Sequence, residues 1–379
     1  MNIRQQQSLY NMEENKKKIE LFLAALNPYI QTNTVSGEEK KITGKDFIVW
    51  GENNAYPQFL WDNYLNCATL QSIINGTVDY IVGDAVEANV DKYKIQVNKD
   101  GETIIDIVKK IATDYIVFGS FALQVIRNMA GDVNEIYWVD INKLRSDEKN
   151  EVFFYSDDWS KSYGRVKYIT YPKFKFGDSN PSSIFYYKGH TTRSTYGIPM
   201  WGASMKNVMI DKAITDFHLN EINNNFMGSK MISFNNGTPD DELKTEIERN
   251  LNEKFSGTGN AGRFLISFSE SKENAPEVLS LGTDDFDKRY ETLEARNQEQ
   301  LFVAFRATPL LFGMVSKSNG FSTSEYKDSY KLFNKTVVRP IQNAIVDVFD
   351  KITGVKGSIT ITPFTIDFED ENNVEKTVE

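Results

Sequence analysis

The spacing of apolar residues predicts an α+β fold. Three observations carry it: helix-spaced apolar stripes early in the chain, a run of short aromatic-rich strands in the middle, and three long amphipathic helices around one small insert toward the C-terminus. At 379 residues the chain can hold two or three units, each with its own core. Its 40% apolar and 25% charged residues are ordinary globular usage, which excludes wholesale disorder.

From Ala55 to Asp84, the residues Leu60, Tyr64, Leu65, Ile73, Ile74, Val78 and Ile81 recur at helical spacing, with turn signals at Tyr56-Pro57 and Gly83. A second helical region is predicted over Thr103 to Phe118. There Ile104, Ile107, Val108, Ile111 and Tyr115 build one stripe, and Gly119 stops it. Strands follow at Phe121 to Asn128 and Val133 to Val139, joined through an Ala-Gly-Asp turn suited to a hairpin. Val152 to Tyr155, Val166 to Tyr171 and Ser183 to Tyr187 read as further strands.

Ser194 to Pro199 reads as an extended turn feeding a long helix, Pro199 to Phe226. Its apolar residues, Met205, Val208, Met209, Ile210, Ala213, Ile214, Phe217 and Ile222, form a broad face, with Asp211, Asp216 and Glu221 on the rest. An insert of about fifty residues holds a strand (Lys230 to Phe234), a charged helix (Asp240 to Phe255) and a second strand (Arg263 to Ser269). A second long helix, Asp284 to Phe305, aligns Phe286, Tyr290, Leu293, Asn297, Leu301 and Phe305 on one stripe. After Pro309 comes a loop with glycines at 313 and 320. The third helix follows from Thr323 to Lys351, with Pro340 expected to kink it, and then a strand from Ser358 to Ile366. A helix of nearly thirty residues spans about 40 Å, more than a small domain needs. The leftover apolar surface predicts lateral contacts between copies of the chain.

The 43 Lys and Arg against 53 Asp and Glu give a net charge of −10, so the chain as a whole is not drawn to phosphate and does not wrap DNA tightly. The single cysteine, Cys67, excludes an internal disulfide or a thiolate metal cluster. With no basic residue beside it, it reads as buried filler. His190 in a Gly-His-Thr-Thr turn is expected to be exposed, and His218 beside Phe217 to pack or hydrogen-bond. No catalytic set, metal site or cofactor is predicted from these residues.

Ile19 to Leu26 is too short to span a membrane and lacks a cleavage site, and nothing else approaches eighteen continuous apolar residues. The expectation is a soluble intracellular product. Gly257 to Gly262 matches G-x-G-x-x-G, but it follows a helix and enters a strand, the reverse of a phosphate cradle. The run Lys16 to Lys18 reads as a solvated helix end in preference to a contact for a partner or nucleic acid. For Lys317, between two glycines, two readings stand: a solvated side chain, or a positive group projected into a channel.

Taken in order, several stretches resemble the portal proteins of tailed double-stranded DNA bacteriophages. They are Tyr115 to Asn128 with Gly131 and the strand to Asp140; Thr195-Tyr-Gly-Ile-Pro-Met; Leu293 to Phe305 running into Arg306-Ala-Thr-Pro-Leu-Leu-Phe-Gly; the Ser/Asn/Gly loop; and Phe333 to Pro340. The resembling region runs from about Ala55 to Thr353. The resemblance implies an N-terminal arm and wing (1–198), stem helices (199–227 and 284–307), a clip (228–283), a tunnel loop (308–322), a kinked wing helix (323–353) and a C-terminal strand and tail with a reduced crown (354–379).

It further implies a ring of usually twelve copies at one capsid vertex, a channel for packaging and ejection of double-stranded DNA, and no enzymatic activity or cofactor. The implied partners are the terminase large subunit, a head-completion or adaptor protein, and the major capsid or scaffolding protein. Carried onto this chain, Val315, Ser316, Lys317, Ser318, Asn319 and Gly320 would meet DNA. Asp240, Asp241, Lys244, Glu248, Gly257 and Asn260 would form the clip docking surface, and Asp211, Asp216, Glu221, Glu291 and Glu294 an acidic channel wall. Two other classes stay open: a monomeric or dimeric adaptor or scaffold, separated by the mass of the purified protein, and a nucleotide-binding enzyme, separated by an ATP-binding assay.

Overall fold

The computed structural model describes residues 21–22, 36–159, 166–191, 194–223, 230–234, 240, 242–243, 245–246, 249, 264–268, 286–314 and 323–365. The chain divides into two compact units. The larger combines Asn33–Lys212 with Leu293–Glu379, and the smaller combines Met1–Thr32 with Ala213–Thr292. The first strand, β1 (Leu21–Phe22), belongs to the smaller unit.

The larger unit opens with the antiparallel pair β2 (Glu39–Lys41) and β3 (Ile48–Trp50). Helices α1 (Tyr56–Asn66) and α2 (Ala68–Val82) follow, as the early apolar stripe predicts. Leu60, Leu70, Ile73, Ile74 and Ile81 are fully buried in the core they share. After β4 (Ala85–Ala88) comes α3 (Ile104–Phe118). Its start is set by a capping box: the Thr103 hydroxyl accepts the Asp106 N–H, and the Asp106 carboxylate accepts the Thr103 N–H at 2.9 Å. Such a cap is worth about 1 kcal/mol. The Thr103 hydroxyl, which donates to the Asp106 carboxylate at 2.6 Å, and then the Thr103 N–H hold that carboxyl below its usual range.

Gly119, left-handed at φ 74, ends α3 and turns the chain straight into β5 (Ser120–Arg127), which pairs with β6 (Val133–Val139). The hairpin between them closes as expected: Gly131 has φ 89, and the Asn128 side chain accepts the Ala130 and Asp132 N–H groups, both at 2.9 Å. The strands β7 (Leu144–Ser146), β8 (Val152–Tyr155) and β9 (Ile169–Pro172) form a separate antiparallel sheet. β10 (Ser182–Lys188) completes the order β10-β5-β6.

Arg145 on β7 is buried and, among the described residues, hydrogen-bonds to no carboxylate. It donates to the Asn54 side chain at 2.9 Å, to the Asn54 carbonyl at 2.8 Å and to the Leu144 carbonyl at 2.7 Å. Carbonyl dipoles therefore solvate the charge, and burial lowers its pKa to about 10.

Next comes α4 (Met205–Asn223), which continues into the smaller unit. It begins later than the sequence predicts, because Gly202–Ser204 is a 3-10 turn and Trp201 is pinned in the core, donating to the Ile116 carbonyl at 3.0 Å. Its 19 described residues span about 28 Å. The strands β11 (Lys230–Phe234) and β12 (Phe264–Phe268) run parallel, with β1 antiparallel on the other edge of β12. Residues 242–243, 245–246 and 249 between them are helical, started by Asp240, whose carboxylate accepts the Leu243 N–H at 2.9 Å. The chain's first apolar stretch thus supplies an edge strand to the insert, a role its length alone did not suggest.

α5 (Phe286–Ala304) spans both units. Back in the larger one, α6 (Thr323–Phe333) runs into α7 (Arg339–Thr353) through a π-helical stretch, Asn334–Val338. The irregularity expected at Pro340 is this widened turn just before it, which accommodates the ring and the missing N–H without ending the helix. The last described strand, β13 (Ile359–Thr362), pairs antiparallel with β4. The strand expected over Ser358 to Ile366 is therefore present at Ile359–Thr362, in the larger unit.

Candidate functional site

The turn that launches α4 is clamped from several sides. The Glu39 carboxylate on β2 accepts the Thr195 N–H at 2.7 Å, the Tyr196 N–H at 3.0 Å and the Ser194 hydroxyl. Tyr196 stacks on Trp50 with centroids 4.2 Å apart, and its hydroxyl donates to the Ile48 carbonyl at 2.5 Å. Behind it two backbones touch. A Cβ on Gly197 would lie 2.4 Å from the Gly119 carbonyl carbon, and one on Gly119 2.3 Å from Ile198. Only glycine at both positions permits that approach.

A cavity of about 970 Å³ opens at this junction, lined among others by Tyr115, Gly119, His190, Gly197 and Arg306. His190 is exposed, as expected. Arg306 follows α5 in the left-handed region at φ 52. Three separate stretches of sequence, around Gly119, Gly197 and Arg306, thus meet at one point and fix where α4 leaves and α5 returns.

At this root the two helices are bonded to each other. Asn207 donates to the Asn297 side-chain oxygen at 3.0 Å, and Asn297 donates to the Asn207 carbonyl at 2.9 Å. Asn297 is buried; Leu301 and Phe305 continue its stripe into the core, whereas Leu293 is 44% exposed. Ile210, Leu219 and Val303 are exposed as well, so these helices carry apolar residues that a single chain leaves in water.

Asp211, one of the expected channel-wall residues, also makes contacts within the chain. It is half-buried, with its oxygens turned to Cys67 Sγ at 3.2 Å and Thr69 Oγ1 at 3.4 Å, which makes it a tie between α4 and the start of α2. Burial first, and Asp211 next among the raising effects, push the Cys67 thiol up to about 12, so it stays protonated and unreactive. Cys67 is buried filler as expected, with a partner its neighbours in sequence did not reveal.

Of the other predicted wall residues, Asp216, Glu291 and Glu294 are exposed, and Glu221 lies in α4 with its side chain outside the described residues. His218 is exposed, its ring 5.7 Å from that of Phe217. Asp240 is exposed and caps its helix. Asp241, Lys244, Glu248, Gly257 and Asn260 lie outside the described residues, as do Lys16 to Lys18, the whole of Gly257 to Gly262, and Val315, Ser316, Lys317, Ser318, Asn319 and Gly320. The flanks of this last stretch are described. Pro309–Phe312 is a 3-10 turn ending at left-handed Gly313, and α6 resumes at Thr323.

Among the described residues no group of three or more His, Cys, Asp or Glu could hold a metal ion, and no helix is long and apolar enough to cross a membrane. Glu39 and Tyr80, which joins the two flanks, escaped the sequence reading, since each acts through partners more than a hundred residues away. Arg306 opens one of the portal-like stretches, but its left-handed backbone angle did not show. Asn297 did leave a signal, as a polar residue on an apolar stripe.

A family model for phage portal proteins matches residues 93–363. This chain belongs to the phage portal protein family. Its fold is also that of chains in solved gene transfer agent particles. One in the virion of the native particle has 14% identity and a TM-score of 0.52, covering 81% of this chain and 83% of that one. One in the neck of the native particle, computed with C12 symmetry, has 14% identity and a TM-score of 0.53, covering 81% and 82%. A chain in the neck of the empty particle, computed with C6 symmetry, gives 13%, 0.53, 84% and 85%. Comparison with curated proteins finds no match. All three stretches that converge on the root of α4 and α5 lie inside the portal match.

Proposed function

We propose that this chain closes into a ring at one vertex of a phage-like capsid, forms the channel through which double-stranded DNA is packaged and ejected, and offers a docking platform to terminase and head-completion proteins. One observation carries the ring: Ile210, Leu219, Leu293 and Val303 stand exposed on α4 and α5, where further copies would bury them. Twelve is the number favoured by the C12 symmetry of the gene transfer agent neck. In this reading α4 and α5 are the stem, the insert of residues 228–283 is the clip that meets the motor, and the N-terminal sheets and helices are the wing. The wing's rim would meet capsid or scaffolding protein.

The charge suits a conduit. Each Lys or Arg that neutralises a phosphate adds salt-dependent affinity, so a basic wall would hold the duplex still. A chain of net charge −10 with Asp216, Glu291 and Glu294 exposed on the stem repels the backbone instead. Lys317, with its neighbours from Val315 to Gly320, would form a narrow positive collar once repeated around the ring. The test is Lys317→Ala in assembling particles. DNA retention or packaging falls while annular particles still form in negative stain; equal loss of rings, or unchanged DNA, contradicts the collar.

A further inference from the structure

Residues 313–322 are flanked on both sides by elements that meet one face of α2. Tyr80 reaches each flank. Its hydroxyl donates to the Leu311 carbonyl at 2.8 Å and lies 3.1 Å from the Tyr326 hydroxyl on α6. A phenol has one proton, so Tyr326 is the donor in the second bond. One helical turn earlier, Gly76 leaves the room that the Phe312 ring fills; a Cβ there would sit 2.8 Å from two ring carbons. The Tyr80 ring meets Phe312 and Phe333 edge-on, with centroids 6.1 and 5.7 Å away. Tyr330, the next tyrosine on α6, spends its hydroxyl elsewhere, on the Phe364 carbonyl at 2.5 Å. Tyr80 is buried, and that burial keeps its hydroxyl protonated across the physiological range.

We infer that Tyr80, seated beside Gly76, is the positioning residue for the DNA-facing loop: by holding Leu311 and Tyr326 together it fixes the span that residues 315–322 must bridge. The inference rests on the reading of residues 315–320 as the DNA collar. It adds to that reading a restraint on both flanks from one side chain. Gly76 and Tyr80 are four residues apart and so share a helix face, which lets α2 set both contacts at once.

Tyr80→Phe keeps the ring and removes both hydrogen bonds. In the full chain, amide hydrogen exchange over peptides 309–314 and 323–330 is expected to quicken roughly tenfold, with α3 and β5 unchanged. Tyr93→Phe, which removes a hydroxyl bonded to the Val133 carbonyl at 3.0 Å elsewhere in the wing, serves as a control for general destabilisation and leaves those peptides as they were. Unaltered exchange at both flanks in Tyr80→Phe, or a rise spread evenly through the wing, overturns the inference. The collar reading has its own readout, DNA retention in Lys317→Ala. Full retention there, with local exchange quickened in Tyr80→Phe, keeps the clasp and retires the collar.

Discussion

Helices α3 and α4 can be compared over equal lengths. Nine of the fifteen residues of α3 are buried in its own chain, whereas among the fifteen of α4 from Met205 to Leu219 only Val208 and Ile214 are. Both were read from the sequence as amphipathic helices, yet only the first finds its partners at home. A buried aliphatic side chain contributes about 1.5–3 kcal/mol, so α3 is secured within one chain while α4 gains little there. The proposed stem is a helix pair tied at its root, and on that reading its exposed apolar residues would be covered by copies of the same protein.

Four changes would break or sharpen this contrast. The largest effect on a single chain is expected at the junction: Gly197→Ala drives a methyl into the Gly119 backbone and should cost about 3 kcal/mol or more, read by thermal or urea unfolding. A loss under about 1 kcal/mol would mean that the two backbones part easily. Cys67→Ala removes the donor facing half-buried Asp211 and should cost about 1–3 kcal/mol. Asp211→Asn, which keeps the shape, should cost less, and the reverse order would show that the thiol contributes packing alone.

The third concerns pH. Asp114 is buried in α3, where burial holds its carboxyl well above the ordinary range despite the Trp138 indole N–H donated at 2.7 Å. Its folded value lies above its unfolded one. The associated stability is therefore full below the unfolded value and falls as pH rises toward the folded one. Asp114→Asn stays neutral and should gain on the parent as pH rises above the ordinary carboxylate range, read as the difference in urea midpoints. A constant difference would show that Asp114 titrates alike in both states.

The smallest effect on one chain is expected from Leu219→Asp with Val303→Asp. Both side chains are exposed, so unfolding should move by no more than about 0.5 kcal/mol per site, while assembly fails. Assembly that survives the double change would place the ring interface elsewhere.

The fold was legible where periodicity and punctuation agree. Gly119 and the Ala-Gly-Asp turn of β5–β6 stand where local chemistry puts them, because each satisfies a need within four residues. The three- and four-residue strands β2, β3, β4 and β7 were not read, since they lack the aromatic run Phe153-Phe154-Tyr155 that marked the equally short β8. The extent of α4 was overread because Pro199 suits a helix start, and only the burial of Trp201 delays the helix to Met205. The order of motifs pointed to the portal family, but the reason they occur together did not show: Gly119, Gly197 and Arg306 meet only in space. The ties of Asp211 did not show for the same reason, its partners lying 144 and 142 residues away.

The most direct measurement of the central claim is the mass of the purified full chain in solution, taken by mass photometry over a range of concentration and salt. The account predicts a closed assembly of about twelve copies that collapses to single chains on Leu219→Asp with Val303→Asp. Single chains at every concentration and salt in the unaltered protein would contradict it.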